Sequence, residues 1–275
     1  MKNILKIMLM MITIFTIAGS AVYAAEIPVS DQDQLITSND WTEISNLQDE
    51  MKKEEPDATI DYDKALKVYV DCNLIKLQTA DTKKLTSALE SANYVWVIPF
   101  KMEKTYGMFT VAKGLPLREE AKSVLTKAEQ EEVKNHAGKW MITEIAEHTV
   151  EPYYDILLEK REALSDCTRV VLVGSQPGMR QPVALGMDDE TARIWISLGY
   201  QYPVMEKIPE TQNVESGVYS FDSVAEISDT YIEDSEVSTG VGVQSRSSMK
   251  YVAGIGIVLI GGILIPVSYT HLRAH

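Results

Sequence analysis

Between Leu66 and Cys72 apolar and polar residues alternate: Leu66, Val68, Val70 and Cys72 are separated by Lys67, Tyr69 and Asp71. A period of two predicts a strand with one buried face. After Asp81 the period lengthens, and Leu85, Ala88, Leu89 and Ala92 fall at i, i+3, i+4 and i+7. That spacing predicts a helix with one apolar stripe, capped by Asp81. Tyr94 to Ile98 is apolar on both faces, the mark of a central strand, and Pro99 ends or edges it. Lys101 to Tyr106 turns the chain, and Gly107 to Ala112 returns as a hairpin partner.

Past Gly114-Leu115-Pro116 a helical pair is expected. Ala121, Val124 and Leu125 make the first stripe; Thr126 with Glu129 forms a capping box for the second helix, which Gly138 stops. Trp140 to Ile145 alternates as a strand. Glu151-Pro152 opens a helix with Tyr154, Leu157, Leu158 and Leu164 inward, and Arg169 to Val173 is again a wholly apolar strand. Gly174 to Gly178 is a turn, and strands at Pro182 to Met187 and Ala192 to Leu198 flank the acidic turn Asp188-Asp189-Glu190.

The pattern recurs. Residues 88–99 lie without gaps over residues 163–174 as a helix end entering a buried strand, and GMFTVAKG from Gly107 matches GMRQPVALG from Gly178 with one residue inserted. This points to two β-α-β-β units joined by the helices between Leu117 and Ala137, packed about a pseudo-twofold in one α+β domain over residues 58–204. Shared periodicity between unrelated α+β segments is the competing explanation. If the units are real, their seam is the first place to expect a ligand.

The flanks differ in character. Residues 25–57 are polar, end in the charge run Glu50 to Glu55, and read as a leader with a short helix around Trp41 to Lys53. Residues 205–249 are acidic, then rich in Ser and Gly, which is the composition of a stalk, with a strand conceivable at Gly217 to Phe221. The run 250–267, KYVAGIGIVLIGGILIPV, begins a stretch without charge from Tyr251 to Leu272. About 20 apolar residues cross a bilayer core as a helix, and lipid enforces that helix despite four glycines. At the other end, Lys2 and Lys6 precede an apolar stretch from Ile7 to Ala18, with small residues leading to Ala24. That is the order of a signal peptide, residues 1–24. The two together predict a single-pass type I protein of the cell membrane, its α+β domain extracytoplasmic. The string PVSYTHLRAH resembles translated sequencing-adaptor sequence, so the natural chain is expected to differ after about Ile265, the tail 268–275 included.

Composition narrows the partners. Of 275 residues 45% are hydrophobic and 24% charged, a globular balance. The formal charge of −14 becomes −16 when Lys2 and Lys6 leave with the signal peptide. An acidic body does not seek phosphate backbones, so nucleic acid is a poor partner; a cell-surface or cell-wall ligand or protein fits better. No Asn-x-Ser/Thr sequon occurs, which favours a bacterial source. Outside the cytoplasm Cys72 and Cys167 are candidates for a disulfide, the alternative being two small buried hydrophobes.

Catalytic patterns are scarce. His136 and His148 stand twelve positions apart with Gly138 between them, so no helix face presents both as metal ligands, and no metal or cofactor is expected. Ser175 follows a buried strand, yet Gly174-Ser175-Gln176-Pro177-Gly178 is not a nucleophile elbow. No phosphate-cradling glycine motif precedes a helix. Asp188-Asp189-Glu190 lacks the alternate ligand spacing of a calcium loop. Tyr94, Trp96 and Phe100 share one strand face and are candidate binding aromatics, or core. The sequence therefore leans away from an enzyme and toward a surface-displayed binding domain. The alternative is a tethered hydrolase using carboxylates that the sequence does not single out.

Overall fold

The computed structural model describes residues 27–148, 150–174, 176, 179, 181–199, 204–208, 213–234, 256–260 and 263–267. The predicted signal peptide, Ser175, Gly178 and residues 235–255 lie outside them. The architecture is α+β, a ten-stranded mixed sheet with helices on both faces.

The strands are β1 (Thr59–Ile60), β2 (Leu66–Val70), β3 (Asn93–Lys101), β4 (Tyr106–Lys113), β5 (Trp140–His148), β6 (Arg169–Val173), β7 (Val183–Met187), β8 (Ala192–Ser197), β9 (Asn213–Glu215) and β10 (Val218–Ser220). Their order is β5-β4-β3-β2-β6-β7-β8-β10-β9, with β1 beside the far end of β3. Every junction is antiparallel except β2–β6, where Val68 faces Leu172 and Tyr69 faces Val173 in parallel. Two antiparallel meanders, β3-β4-β5 and β6-β7-β8, thus flank a central β2.

Because β2 has a strand on each side and packing above and below, it is buried on both faces, Lys67 and Tyr69 included. The expected single-sided strand is in fact the middle of the sheet. Pro99 lies inside β3, not at its end. Its carbonyl accepts from Asp61 N at 2.9 Å on the side where pairing to β2 has stopped at Val97 and β1 takes over. A missing N–H costs least at such a change of partner.

The helices are α1 (Trp41–Ile44), α2 (Gln48–Glu54), α3 (Thr82–Glu90), α4 (Glu119–Lys122), α5 (Lys127–His136), α6 (Tyr153–Glu159) and α7 (Phe221–Asp234). Alternation along β2 and β6 assigns their faces. Tyr69, Val171 and Val173 share a cluster with Leu85 and Leu89 of α3 and Val224 of α7. Leu66, Val68, Val170 and Leu172 pack on the other face with Tyr153 and Leu157 of α6. α3 and α6, the helices that precede the two aligned strands β3 and β6, therefore lie on opposite faces. A third cluster, built on Trp96, Ile98, Phe109 and Ile142, is covered by Ile44 and Met51 of α1 and α2.

Local signals hold where they are self-contained. Asp81 accepts from Lys84 N at 3.1 Å to cap α3, both halves of the Thr126–Glu129 box form on α5, and Gly138 adopts φ +76° past its end. Facing is less legible. Tyr153 rather than Tyr154 is the deeply buried tyrosine of α6, Leu158 is 37% exposed and Val124 is 68% exposed.

Both flanks of the expected domain belong to the fold. Ile27, Val29, Leu35, Ile44 and Met51 are buried in the segment expected as a solvated leader. Residues 28–35 fill the fork where β2 and β6 part at their amino ends: Val170 N donates to Pro28 O at 2.7 Å and Leu35 N to Ala65 O at 3.1 Å. At the other flank β9 and β10 extend the sheet, and Phe221 at the start of α7 stacks on Trp195 with ring centroids 5.7 Å apart. The expected stalk is folded as far as α7.

In the apolar run 250–267, Gly256–Ile260 and Ile263–Val267 (β11 and β12) pair as an antiparallel hairpin. Among the described residues no helix is long and apolar enough to cross a membrane. The helix expected there presumes a hydrocarbon surround; without one, a run rich in β-branched Ile and Val favours extended pairing.

Candidate binding cleft and buried ionic cluster

At the end of the sheet where β2 and β4 finish and β3 and β5 start lies a cleft of about 290 Å³. Val70, Val95 and Ala112 form an apolar floor, and Leu115, Pro116 and Ala137 form a wall. This is the carboxyl end of β2 on the side of its antiparallel partner β3, away from the parallel junction with β6.

The wall is fastened by main-chain bonds. Gly114 N donates to Lys139 O at 2.9 Å and Gly138 N to Gly114 O at 2.8 Å. A Cβ on Gly114 would stand 2.1 Å from His136 O, so the loops close only around glycine. Four side chains with polar atoms border the cleft, of which Tyr94 gives its hydroxyl to Asp40. Asn93 donates to Asp71 at 3.1 Å; Lys113 lies 5.4 Å from the Trp140 ring centroid and 3.9 Å from Glu43; and Trp140, 7% exposed, holds a buried indole Nε1 that has no hydrogen-bond partner among the described residues. The arrangement offers apolar contact with the Lys113 ammonium at the rim, and among the described lining residues there is no acid pair.

A second concentration of chemistry lies under the N-terminal segment. Asp33, 2% exposed, accepts from Ser30 Oγ at 2.6 Å, Tyr69 Oη at 2.7 Å and Arg169 at 3.2 Å. Lys67 Nζ is 3.8 Å from Asp33 Oδ1 and sits among three rings, 4.6 Å from Tyr94, 5.2 Å from Trp96 and 5.8 Å from Tyr69. Asp40 accepts from Tyr94 Oη at 2.9 Å and Trp96 Nε1 at 3.0 Å. Burial pulls the Lys67 ammonium below the usual lysine range, against the carboxylates of Asp33 and Asp40. The same burial, helped by Asp33, pushes the Tyr69 hydroxyl up, so it stays a donor.

The candidate residues read from the sequence fall as follows. Trp96 and Phe100 are 0% and 1% exposed and Tyr94 is half-buried, so the aromatic stripe packs beneath α1 and α2. Cys72 and Cys167 are both free and buried, in clusters on opposite faces of the sheet, and burial pushes each thiol up to about 11. Asp188 is occupied by its own turn, accepting from Glu190 N at 2.8 Å and Thr191 N at 2.6 Å. Among the described residues no group of three or more His, Cys, Asp or Glu is placed to hold a metal ion. Gln176 ties Leu74 N, Cys72 O and Gly174 O together at the carboxyl end of the parallel pair, so the seam expected to take a ligand is bridged there.

Asp33 and Lys67 were not legible as a pair. They stand 34 positions apart in sequence, in a polar leader and on what reads as the wet face of a strand. The apolar residues Ile27, Val29 and Leu35 around Asp33 were the available signal. No protein-family model matches the chain, no curated protein matches it, and no solved structure matches it.

Proposed function

We propose that this chain is a membrane-tethered extracytoplasmic binding protein whose α+β domain takes a small, largely apolar ligand, or a short side chain of a partner protein, in the cleft at the carboxyl end of β2. The observation that carries this reading is the cleft with Trp140 at its border. Its apolar floor, Val70, Val95 and Ala112, and the Lys113 ammonium at its rim suit an apolar body bearing one carbonyl or carboxylate. Export by the leader 1–24 and retention by the run 250–267, as a single-pass type I protein, remain part of the proposal, with the stalk shortened to the residues after α7. The two expected β-α-β-β units, β2-α3-β3-β4 and β5-α6-β6-β7, are not equivalent in the sheet, since β2 pairs with β3 whereas β5 pairs with β4, so in the same reading the recurrence is kept only for the meanders that start with β3-β4 and β6-β7. Their strand directions fit a twofold through β2, and the opposite placement of α3 and α6 sets the helices outside it.

The test is a thermal-shift screen of small apolar compounds bearing one carbonyl or carboxylate, against wild type and Ala112→Trp, which fills the floor. The proposal expects compounds that raise the wild-type Tm and leave the variant unmoved. Hits that act equally on both, or none at all, would discard the cleft. Protease shaving of intact cells tests the address: a domain protected until lysis counts against display outside the membrane. A second reading, a carboxylate hydrolase, draws on Glu144, whose carboxyl burial pushes upward. It predicts that Glu144→Gln abolishes a hydrolytic activity.

A further inference from the structure

We infer that Lys67 and Asp33 form an intramolecular isopeptide bond, a self-made cross-link between the N-terminal segment and the central strand. This is independent of the cleft and its ligand.

The pair has what amide condensation without an enzyme or cofactor needs. Proximity comes first: Nζ is 3.8 Å from Oδ1, an oxygen on the carbon to be attacked, with the two side chains 10% and 3% exposed, so burial holds amine and carboxyl in contact. The nucleophile must be an unprotonated amine, and burial among Tyr94, Trp96 and Tyr69 favours that form of Lys67. The electrophile needs donors to stabilise the oxygen charge that develops during attack. Three converge on the Asp33 carboxyl, the Tyr69 hydroxyl on Oδ1 and the Ser30 hydroxyl and Arg169 guanidinium on Oδ2. Asp40, which accepts from Tyr94 Oη and Trp96 Nε1, puts a second carboxylate beside the rings that enclose Lys67.

The balance closes within the pair. Lys67 Nζ attacks Cγ of Asp33, a C–N bond forms and one C–O bond breaks. The departing oxygen leaves as water with two of the three ammonium protons, and the third stays on the amide nitrogen. Nothing is oxidised or reduced. Once formed, the amide lies in a site screened from water by the rings and by residues 28–35, so hydrolysis is slow. It closes the chain from Asp33 to Lys67 into a loop and locks the fork between β2 and β6 against peeling of the N-terminal segment.

A tryptic digest of the denatured full-length protein decides the matter. An unlinked chain is cut after Lys67 and releases Val68–Lys76. The linked chain is not cut there; Ala65–Lys76 stays joined to the peptide carrying Asp33, with a mass lower by one water. The expected result is that branched peptide from wild type, with Val68–Lys76 strongly depleted, and release of Val68–Lys76 from Asp33→Ala, in which Lys67 remains a cleavage site. Quantitative release of Val68–Lys76 from folded wild type overturns the proposal and leaves a buried ion pair. That readout uses wild type alone, so a variant that fails to fold does not blunt it.

Discussion

Leu35→Ala is the most direct probe of how the N-terminal segment belongs to the fold. Leu35 is 0% exposed, lies in the cluster with Trp96 and Phe109, and donates its N–H to Ala65 O at 3.1 Å across the fork. Truncation removes about three carbons of buried side chain, roughly 2–2.5 kcal/mol at ~0.8 kcal/mol each. The cavity left between segment and sheet adds to that, so the expected loss is about 2–5 kcal/mol. Its neighbour Ile36 is 37% exposed, and Ile36→Ala should cost about 0.5 kcal/mol or less. Equilibrium urea unfolding followed by tryptophan fluorescence measures both, since Trp96 lies in the affected cluster. Equal, small losses for the two variants would refute the placement of the segment in the core.

Four further outcomes follow from single sites. Glu144 is pushed upward by burial, with an opposing hydrogen bond from Thr110 at 3.4 Å. A carboxyl raised in the folded state favours folding below its unfolded pKa and loses that contribution as pH rises through the folded value. Glu144→Gln should therefore raise Tm near pH 7 and show no advantage near about pH 4; a variant less stable than wild type at neutral pH contradicts this. At Gly107 a Cβ would stand 2.1–2.7 Å from the Phe100 ring, so Gly107→Ala should cost about 1–3 kcal/mol in urea unfolding, partly recovered by adding Phe100→Leu. Thr126→Ala should cost about 1 kcal/mol, because Glu129 N loses its side-chain acceptor at the start of α5 while the bond from the residue-126 N–H to the Glu129 carboxylate stays. Finally, reductant should leave the thermal transition unmoved, and thiol titration after denaturation should count two free cysteines.

The elements that chain order alone made legible are those whose cause lies within a few residues. Asp81 at the start of α3, Thr126 with Glu129 on α5, and the turns between β3 and β4 and between β7 and β8 are local hydrogen-bond arrangements, so spacing reveals them. The same holds for β3 and β6, whose apolar runs cannot be exposed on either face. The cleft was not legible, because Val70, Val95, Ala112 and Leu115 carry no chemistry until the sheet end brings them together.

The sequence by itself determined the α+β class, most strand positions and the helix caps, since hydrophobic period and capping are written in neighbouring residues. Only the tertiary structure decided the sheet order, the burial of the N-terminal segment, and the company of Lys67. A strand face reads as wet or dry from its own alternation, but whether water reaches it depends on what distant chain lies over it. Lys67 alternates with Leu66 and Val68 as a solvated residue would; residues 28–40, brought from 30 or so positions upstream, supply Asp33 and Asp40 and close it off. Charge complementarity across that distance has no period, and so leaves no trace along the chain.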